Sequence, residues 1–349
     1  MNKIIKRDRM TVVWAVLLLT LTSGTPVVRG VTYDLVAGEF DTLMPDGVTV
    51  RMWGFGLSGQ AVTVPGPVLT VPVGDHNLTI NLTNNLPVPV SLVIPGLPSA
   101  LTPVYHQAGD PYAGRVRSLT AEAAPGGGQR TYTWTDIRPG TFVYHSGTQM
   151  QIQIQMGLYG ALKHDFAASQ AYADPATAYQ TDIVLLYSEV DPSVHAAVQS
   201  GEYGPSGTIT STVSYWPSYF LINGESYTPG QAPIPAGVVG QKVLLRFLNA
   251  GLRTHVPIIH NHIGKLISED GNLLPFFRDQ YEVMLAAGKT SDLLLTPAAA
   301  GPITVYDRKL DLTTGMESSG GMLVKLDVAP LQTQPGLWKK PIRNRLGRV

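Results

Sequence analysis

The chain has 349 residues, 25 basic and 25 acidic, with Gly 36, Pro 27 and no cysteine, and only 14% of its residues are charged. That length holds two domains of ordinary size, and the Gly/Pro content suits short strands joined by many turns better than long helices. The missing cysteine excludes thiolate metal sites, cysteine nucleophiles and disulfides, and the charge distribution argues against nucleic acid: positions 31–330 carry 15 bases and 24 acids, a net −9.

The bases removed from that body sit at the ends. Residues 1–30 hold Lys3, Lys6, Arg7, Arg9 and Arg29 with a single acid, Asp8. An apolar run, Thr11–Leu21, follows, and then the small residues Thr22, Ser23 and Gly24. The run is too short to span a bilayer, so it reads as an export signal cleaved near residue 24 or 30. The expectation is a periplasmic or extracellular protein with no membrane contact after cleavage; the alternative is an uncleaved anchor. Residues 329–349 form a basic tail without periodic pattern.

From residue 31 the pattern is strand and turn. Leu78, Ile80 and Leu82 alternate with polar residues, the period-two signature of a half-buried strand. Pro87 and Pro89 interrupt it, and Ser91–Ile94 reads as a further strand, followed by Thr131–Trp134 and Thr141–Tyr144. Residues 161–180 read as a connector with a short helix over Phe166–Ala173. Strand rhythm resumes at Thr181–Tyr187 and again from Tyr219 to Val328.

The pattern repeats. VGDHNLTINLTNNL (73–86) aligns without gaps on VGQKVLLRFLNAGL (239–252), and PGTFVYH (139–145) aligns on GPITVYD (301–307). Two blocks recurring in the same order predict two like-built all-β domains, 31–170 and 181–328, each a Greek-key β-sandwich. At the second block His145 falls on Asp307.

These same runs carry a family resemblance. GPVLTVPVGDHNLTINLTNNL, PGTFVYHS and GLYGAL resemble the first domain of a multicopper oxidase of the laccase type. FLING, VGQKVLLRFLNAG, ISEDGN and LAAGKTSDLLL resemble the next cupredoxin domain of that family. The resemblance implies two tandem cupredoxin-like domains, a type 1 copper held by Cys and His, and four His-x-His pairs around a three-copper cluster. The sequence departs from that set. The first pair position reads Ile94-Pro95-Gly96, the second reads His145-Ser146-Gly147, and no cysteine exists for type 1 copper. His260-Asn261-His262 alone has the form of an intact pair.

Copper, if bound, is therefore expected at a reduced, histidine-only site. Two histidines two apart on a strand point to one face, so His260 and His262 with His145 are the expected three-nitrogen site between the domains. Asp307 is an orienting partner for a histidine across that interface. His255 and His106 are weaker ligand candidates; His255 reads as part of the turn before Pro257. The alternative is that these histidines are relics hydrogen-bonded in a polar cleft. His76, His164 and His195 read as surface, and Met150 and Met156 as core. Gln149, Gln151, Gln153 and Gln155 alternate with apolar residues, which reads either as a strand edge pairing with another subunit or as a solvated strand face. The resemblance favours the first, a trimer assembled through Gln149–Met156.

Three functions remain open: an exported copper-binding or assembly protein with a degenerate site, an oxidoreductase using the reduced copper site with electrons from a protein partner, and a structural module that binds another protein. Four-electron, laccase-type reduction of oxygen is not expected, because the thiolate that tunes the electron-entry copper is missing.

Overall fold

The computed structural model describes residues 30–331; the expected export signal and nearly all of the basic tail lie outside the described residues. No helix among the described residues is long and apolar enough to cross a membrane.

The first half contains β1 (Gly30–Leu43), β2 (Thr49–Leu57), β3 (Leu69–Val71), β4 (Asn77–Asn84) and a small ribbon, β5 (Val104–Tyr105) with β6 (Val116–Ser118). It continues with β7 (Gly128–Trp134), β8 (Gly140–His145) and β9 (Tyr159–His164). One sheet has the order β2-β1-β4-β7 and the facing one β3-β9-β8. The second half holds β10 (Thr181–Val190), β11 (Tyr219–Ile222), β12 (Ile234–Val238), β13 (Val243–Asn249) and β14 (Pro257–Ile259). Then come β15 (Gly264–Glu269), β16 (Asn272–Gln280), β17 (Thr290–Leu295), β18 (Gly301–Asp307) and β19 (Leu323–Ala329). Its sheets run β11-β10-β13-β17-β15-β16 and β12-β19-β18-β14.

The halves superimpose in topology, as the sequence repeat demands. β1 runs parallel to β4, as β10 does to β13. The pair β3/β9 is parallel, as is β12/β19. The fold is all-β, two tandem cupredoxin-like sandwiches. Their cores follow from the alternation: Leu78, Ile80 and Leu82 are fully buried along β4, and Val243, Leu245 and Phe247 along β13. Each such side chain removed from water contributes about 1.5–3 kcal/mol.

One asparagine device occurs twice. Asn84 ends β4 fully buried; its amide nitrogen donates to the carbonyls of Val88, Ala123 and Ala124, and its Oδ1 accepts from the Leu86 amide. Asn249 ends β13 the same way, donating to Arg253 and Leu285 and accepting from Gly251. Each ties down the backbone of the loop that leads into the site region.

The two sandwiches are locked together. Arg246 on β13 is fully buried; its guanidinium donates to Asp165 at 2.6 Å, to Asp182 at 3.2 Å and to Thr141 of β8 at 3.1 Å. Thr141 in turn donates to Asp292 at 2.7 Å. Arg138 reaches from the first sandwich to the carbonyls of Asp270 and Gly271 and to the Asn272 side chain. Val143, Tyr159 and Ala161 pack on Leu186, Leu248 and Ala250 as a shared apolar patch.

Three expectations from the sequence are corrected. Gln149–Met156 is not a strand: Gln149 takes a left-handed conformation (φ 38°) and starts the short helix α1 (Met150–Gln153). Ile152 and Met156, one turn apart, are both buried, and so are Gln153 and Gln155. A helix period and a strand period both place apolar residues at 152 and 156, so the alternation could not distinguish them. This segment offers no strand edge for assembly. Ser91–Ile94 contributes only a single bridge, Val93 with His145, because the prolines on either side, at 87, 89 and 95, limit the ladder. Phe166–Ala173 forms turns and not a helix; the helix in this half, α2 (Pro192–Ser200), starts where Asp191 caps the Ser193 amide.

Candidate functional site

His145 closes β8. Its backbone exchanges two hydrogen bonds with Val93, at 3.0 and 2.9 Å, which anchors the strand end on the preceding loop. Its ring is mostly buried, and Nδ1–H donates to the Ser146 carbonyl at 2.8 Å. Burial holds the imidazole below the ordinary histidine range, so it is neutral near pH 7. With Nδ1 occupied, the lone pair rests on Nε2. That is the tautomer a metal ligand needs.

The space beside His145 is filled with hydroxyls, not imidazoles. Thr148 Oγ1 lies within 3.1 Å of Ser91, Ser118 and Glu122, and Ser91 and Ser118 are 2.9 Å apart. Glu122 is paired with Arg117. Ser146 donates to Gln153 at 2.6 Å, and Gln153 donates to the Pro89 carbonyl. Gly147, where the second imidazole of a pair would stand, has no room: a Cβ there meets Ser91 Oγ and Val93 Cγ1 at 2.9 Å. Gly147→His is therefore expected to destabilise the fold by about 1–3 kcal/mol through overpacking and to leave copper stoichiometry unchanged. Chemical denaturation with metal analysis of the same samples checks both, and a second copper per chain would overturn the reading.

His260 and His262 are not on a strand. They occupy the turn between β14 and β15, with Asn261 at φ 58°. The left-handed residue between them breaks the alternation that would have put both rings on one face. His260 is exposed and His262 half-buried; His262 Nδ1 lies 2.8 Å from the His260 carbonyl, which again leaves Nε2 as the lone-pair nitrogen. The bridges Val93/His145 and Pro257/Asp307 define the repeat register here. In that register His260 and His262 match Gly96 and Pro98, two residues beyond the gapless alignment. The structure does not bring His145, His260 and His262 within 4.8 Å of one another.

His106 is held by Asp110 at 2.9 Å and, with Arg117, Gly147, Gln149 and Met150, lines a cavity of about 90 Å³. His164 and His195 are buried, not surface: His164 is 2% exposed, and His195, at 1%, sits with Nδ1 2.8 Å from the Arg51 carbonyl.

The residue that sequence reasoning undervalued is His255. It is fully buried and stacked on Tyr187, their ring centroids 6.0 Å apart. Its Nε2 lies 2.5 Å from Glu189 Oε1. Its Nδ1 faces Asp307 Oδ2 at 3.6 Å and Asp311 Oδ2 at 3.9 Å. Asp307 thus serves a histidine of its own sandwich, not one across the interface. Period-two reading failed because Pro257 hides the strand; the signal available was Asp307 in the place of His145. Burial pushes His255 down, but the flanking Asp307 and Glu189 outweigh it and carry the imidazole up to about 9. Asp307 opposes its own burial through the adjacent His255 imidazole and the hydrogen bond from the Val256 amide, and stays below the usual carboxylate range. Burial and the Asp307 charge push Asp311 up.

A raised histidine gives stability that is complete below the unfolded value near 6.5 and is lost as pH rises through the folded value. Metal-stripped protein is therefore expected to lose stability between about pH 6.5 and 9. In His255→Gln that slope flattens. Tm measured across this range checks it; an unchanged slope in the variant would sink the assignment.

Comparison with known proteins agrees with this fold. Residues 42–163 match the family described as Multicopper oxidase. They are a multicopper oxidase domain. A probable nitrite reductase–hydroxylamine oxidoreductase fusion protein of Kuenenia stuttgartiensis is 35% identical over 254 residues, covering 70% of this chain. The chain spans only 26% of that relative's length. Among solved structures, the blue copper oxidase of Nitrosomonas europaea aligns with TM-score 0.66 at 21% identity, over 86% of each chain. The copper nitrite reductase of the same organism aligns at TM-score 0.62 and 21% identity, over 86% of this chain and 94% of that one. These structures share the cupredoxin fold. A multicopper oxidase domain implies copper, and the donor set here does not fit the full complement: type 1 copper lacks its thiolate, and the expected histidine trio does not converge in one chain.

Proposed function

We propose that this chain is an exported, multicopper-oxidase-like protein that binds copper at a reduced, histidine-only site. The observation that carries the reading is His145: a neutral, mostly buried imidazole at a strand end, with Nδ1 tied to a backbone carbonyl and Nε2 left as the lone-pair nitrogen. His262 Nδ1 likewise lies against a backbone carbonyl, that of His260 at 2.8 Å. Because His145, His260 and His262 do not meet within one chain, the site is completed between copies, His145 of one protomer taking His260 and His262 of another. The trimer belongs to this proposal, as does export, which rests on the basic start and the Thr11–Leu21 apolar run.

The test is copper loading of the purified full chain, with metal content and solution mass measured together. Stoichiometric Cu(II) in an oligomer supports the reading. Mixing His145→Ala with His260→Ala/His262→Ala chains should restore part of the copper each lacks alone. A monomer without retained copper leaves only a structural, protein-binding role. The intense visible band of thiolate-bound copper is absent in every case, since there is no thiolate.

A second reading rests on the 35% relative, whose name includes nitrite reductase. In that reading the reduced site serves one-electron chemistry with electrons from a partner, for which a full multicopper set is not needed. Nitrite turnover with an artificial electron donor, lost in His145→Ala, is its test.

A further inference from the structure

We infer that the second sandwich contains a binding site of its own for a divalent first-row metal ion, made by His255 Nδ1, Asp307 Oδ2 and Asp311 Oδ2. Among the described residues this is the one group of three or more His, Asp or Glu ligand atoms all lying within 4.8 Å of one another.

Buried polar atoms are almost always paired. Here three of them, His255 Nδ1, Asp307 Oδ2 and Asp311 Oδ2, lack any hydrogen-bond partner and face one another. The His255 and Asp307 side chains are fully buried and that of Asp311 is 14% exposed. Their separations, 3.6 and 3.9 Å from the imidazole nitrogen, are too long for hydrogen bonds. Two ligand atoms about 2.1 Å from one ion, at tetrahedral to trigonal angles, lie roughly 3.4–3.6 Å apart. Small side-chain adjustments bring the trio to that spacing.

The surroundings fit the same occupant. Glu189 accepts the Nε2–H of His255, so Nδ1 is the nitrogen that gives up its proton when an ion binds, which makes a carboxylate–histidine–metal chain. Asp307 is oriented by the Val256 amide, which donates to its Oδ1 at 2.7 Å and leaves Oδ2 free. The turn after β18, with Leu310 at φ 61° and its amide on the Asp307 carbonyl, brings Asp311 back onto Asp307. In charge, three carboxylates against a dication and Lys309, 3.6 Å from Asp311, balance. One imidazole and two carboxylates suit Zn²⁺ or Mn²⁺ and not Cu(I), which prefers sulfur. The partly exposed Asp311 side is the entry.

The experiment uses the untagged full chain, stripped with chelator, exposed to Zn²⁺ or Mn²⁺, desalted and analysed for metal. One equivalent of zinc or manganese is expected in the wild type, in His145→Ala and in His260→Ala/His262→Ala, which separates this site from the proposed copper site. Asp311→Asn and Asp307→Asn lose it, and Glu189→Gln weakens it about 10–100-fold. Asp311→Asn is the decisive variant, because its partly exposed side chain can change without unfolding the core, and circular dichroism verifies the fold. Cobalt(II) substituted in the wild type gives a d–d spectrum of mixed nitrogen and oxygen ligation that zinc abolishes. Failure of the wild type to retain any of these ions, or full retention in Asp311→Asn, overturns the inference.

Discussion

Replacing Arg246 with alanine is expected to lower the free energy of unfolding by about 3–5 kcal/mol, the range for breaking a buried ion pair from one side. Arg246 has no exposed side-chain surface and is the cation of a network that includes Asp165, Asp182 and, within electrostatic reach, Asp292. Burial alone would lower its pKa; the three carboxylates raise it far above the ordinary arginine range instead. Only Asp182 has a second cation, Lys163 at 2.7 Å. Asp292 keeps neutral partners: Thr141, Tyr172 and Ser268 donate to it at 2.7, 2.5 and 2.9 Å. Alanine leaves these carboxylates facing one another without their shared cation. The loss is structural at long range, because Arg246 also donates to Thr141 on β8, the strand that ends in His145. Urea unfolding of the variant beside the wild type measures it. A change under 1 kcal/mol would mean that water reaches the network and screens it. Asp182→Asn, at a partly exposed and doubly paired site, should cost clearly less.

The second large expected result is loss of stoichiometric copper from His145→Ala with the fold retained. The imidazole is carried by a strand end whose backbone bonds to Val93 do not depend on the side chain. The ring's one side-chain hydrogen bond is local, to the next residue's carbonyl. Alanine therefore removes the proposed ligand nitrogen and about one buried hydrogen bond, roughly 0.5–1.5 kcal/mol. Binding should fall much further than stability. His145→Gln separates the two effects, since its amide fills much of the space without an imidazole nitrogen. Cu(II) titration followed by electron paramagnetic resonance, with nitrogen hyperfine structure expected in the wild type alone, reads the site directly. Unchanged copper content in both variants would exclude His145 as a ligand.

Much of the fold was legible because it depends on local alternation and on repetition. Leu78, Ile80 and Leu82 alternate with polar residues and lie inward along β4. The recurrence of two blocks at nearly constant spacing anticipated matching strand orders in both sandwiches. The absence of cysteine ruled out type 1 copper without any structure. Where two periods fit the same residues, as at Gln149–Met156, the sequence left strand and helix undistinguished, and burial of Ile152, Gln153 and Met156 on a helical turn decided it.

The sites followed a different logic. His145 stood out because it ends a strand in a recognisable run. His255 did not, because its partners lie far away along the chain: Glu189 at the end of β10, Asp307 at the end of β18 and Asp311 beyond a left-handed turn. His260 and His262 looked like one face of a strand until Asn261 proved to be left-handed. By itself the sequence determined the all-β class, the duplicated sandwich and the missing thiolate, since periodicity, repeats and composition are properties of neighbouring residues. Which polar side chains converge, and which are left without partners in the interior, was decided only by the tertiary structure, because burial and convergence arise where distant strand ends meet.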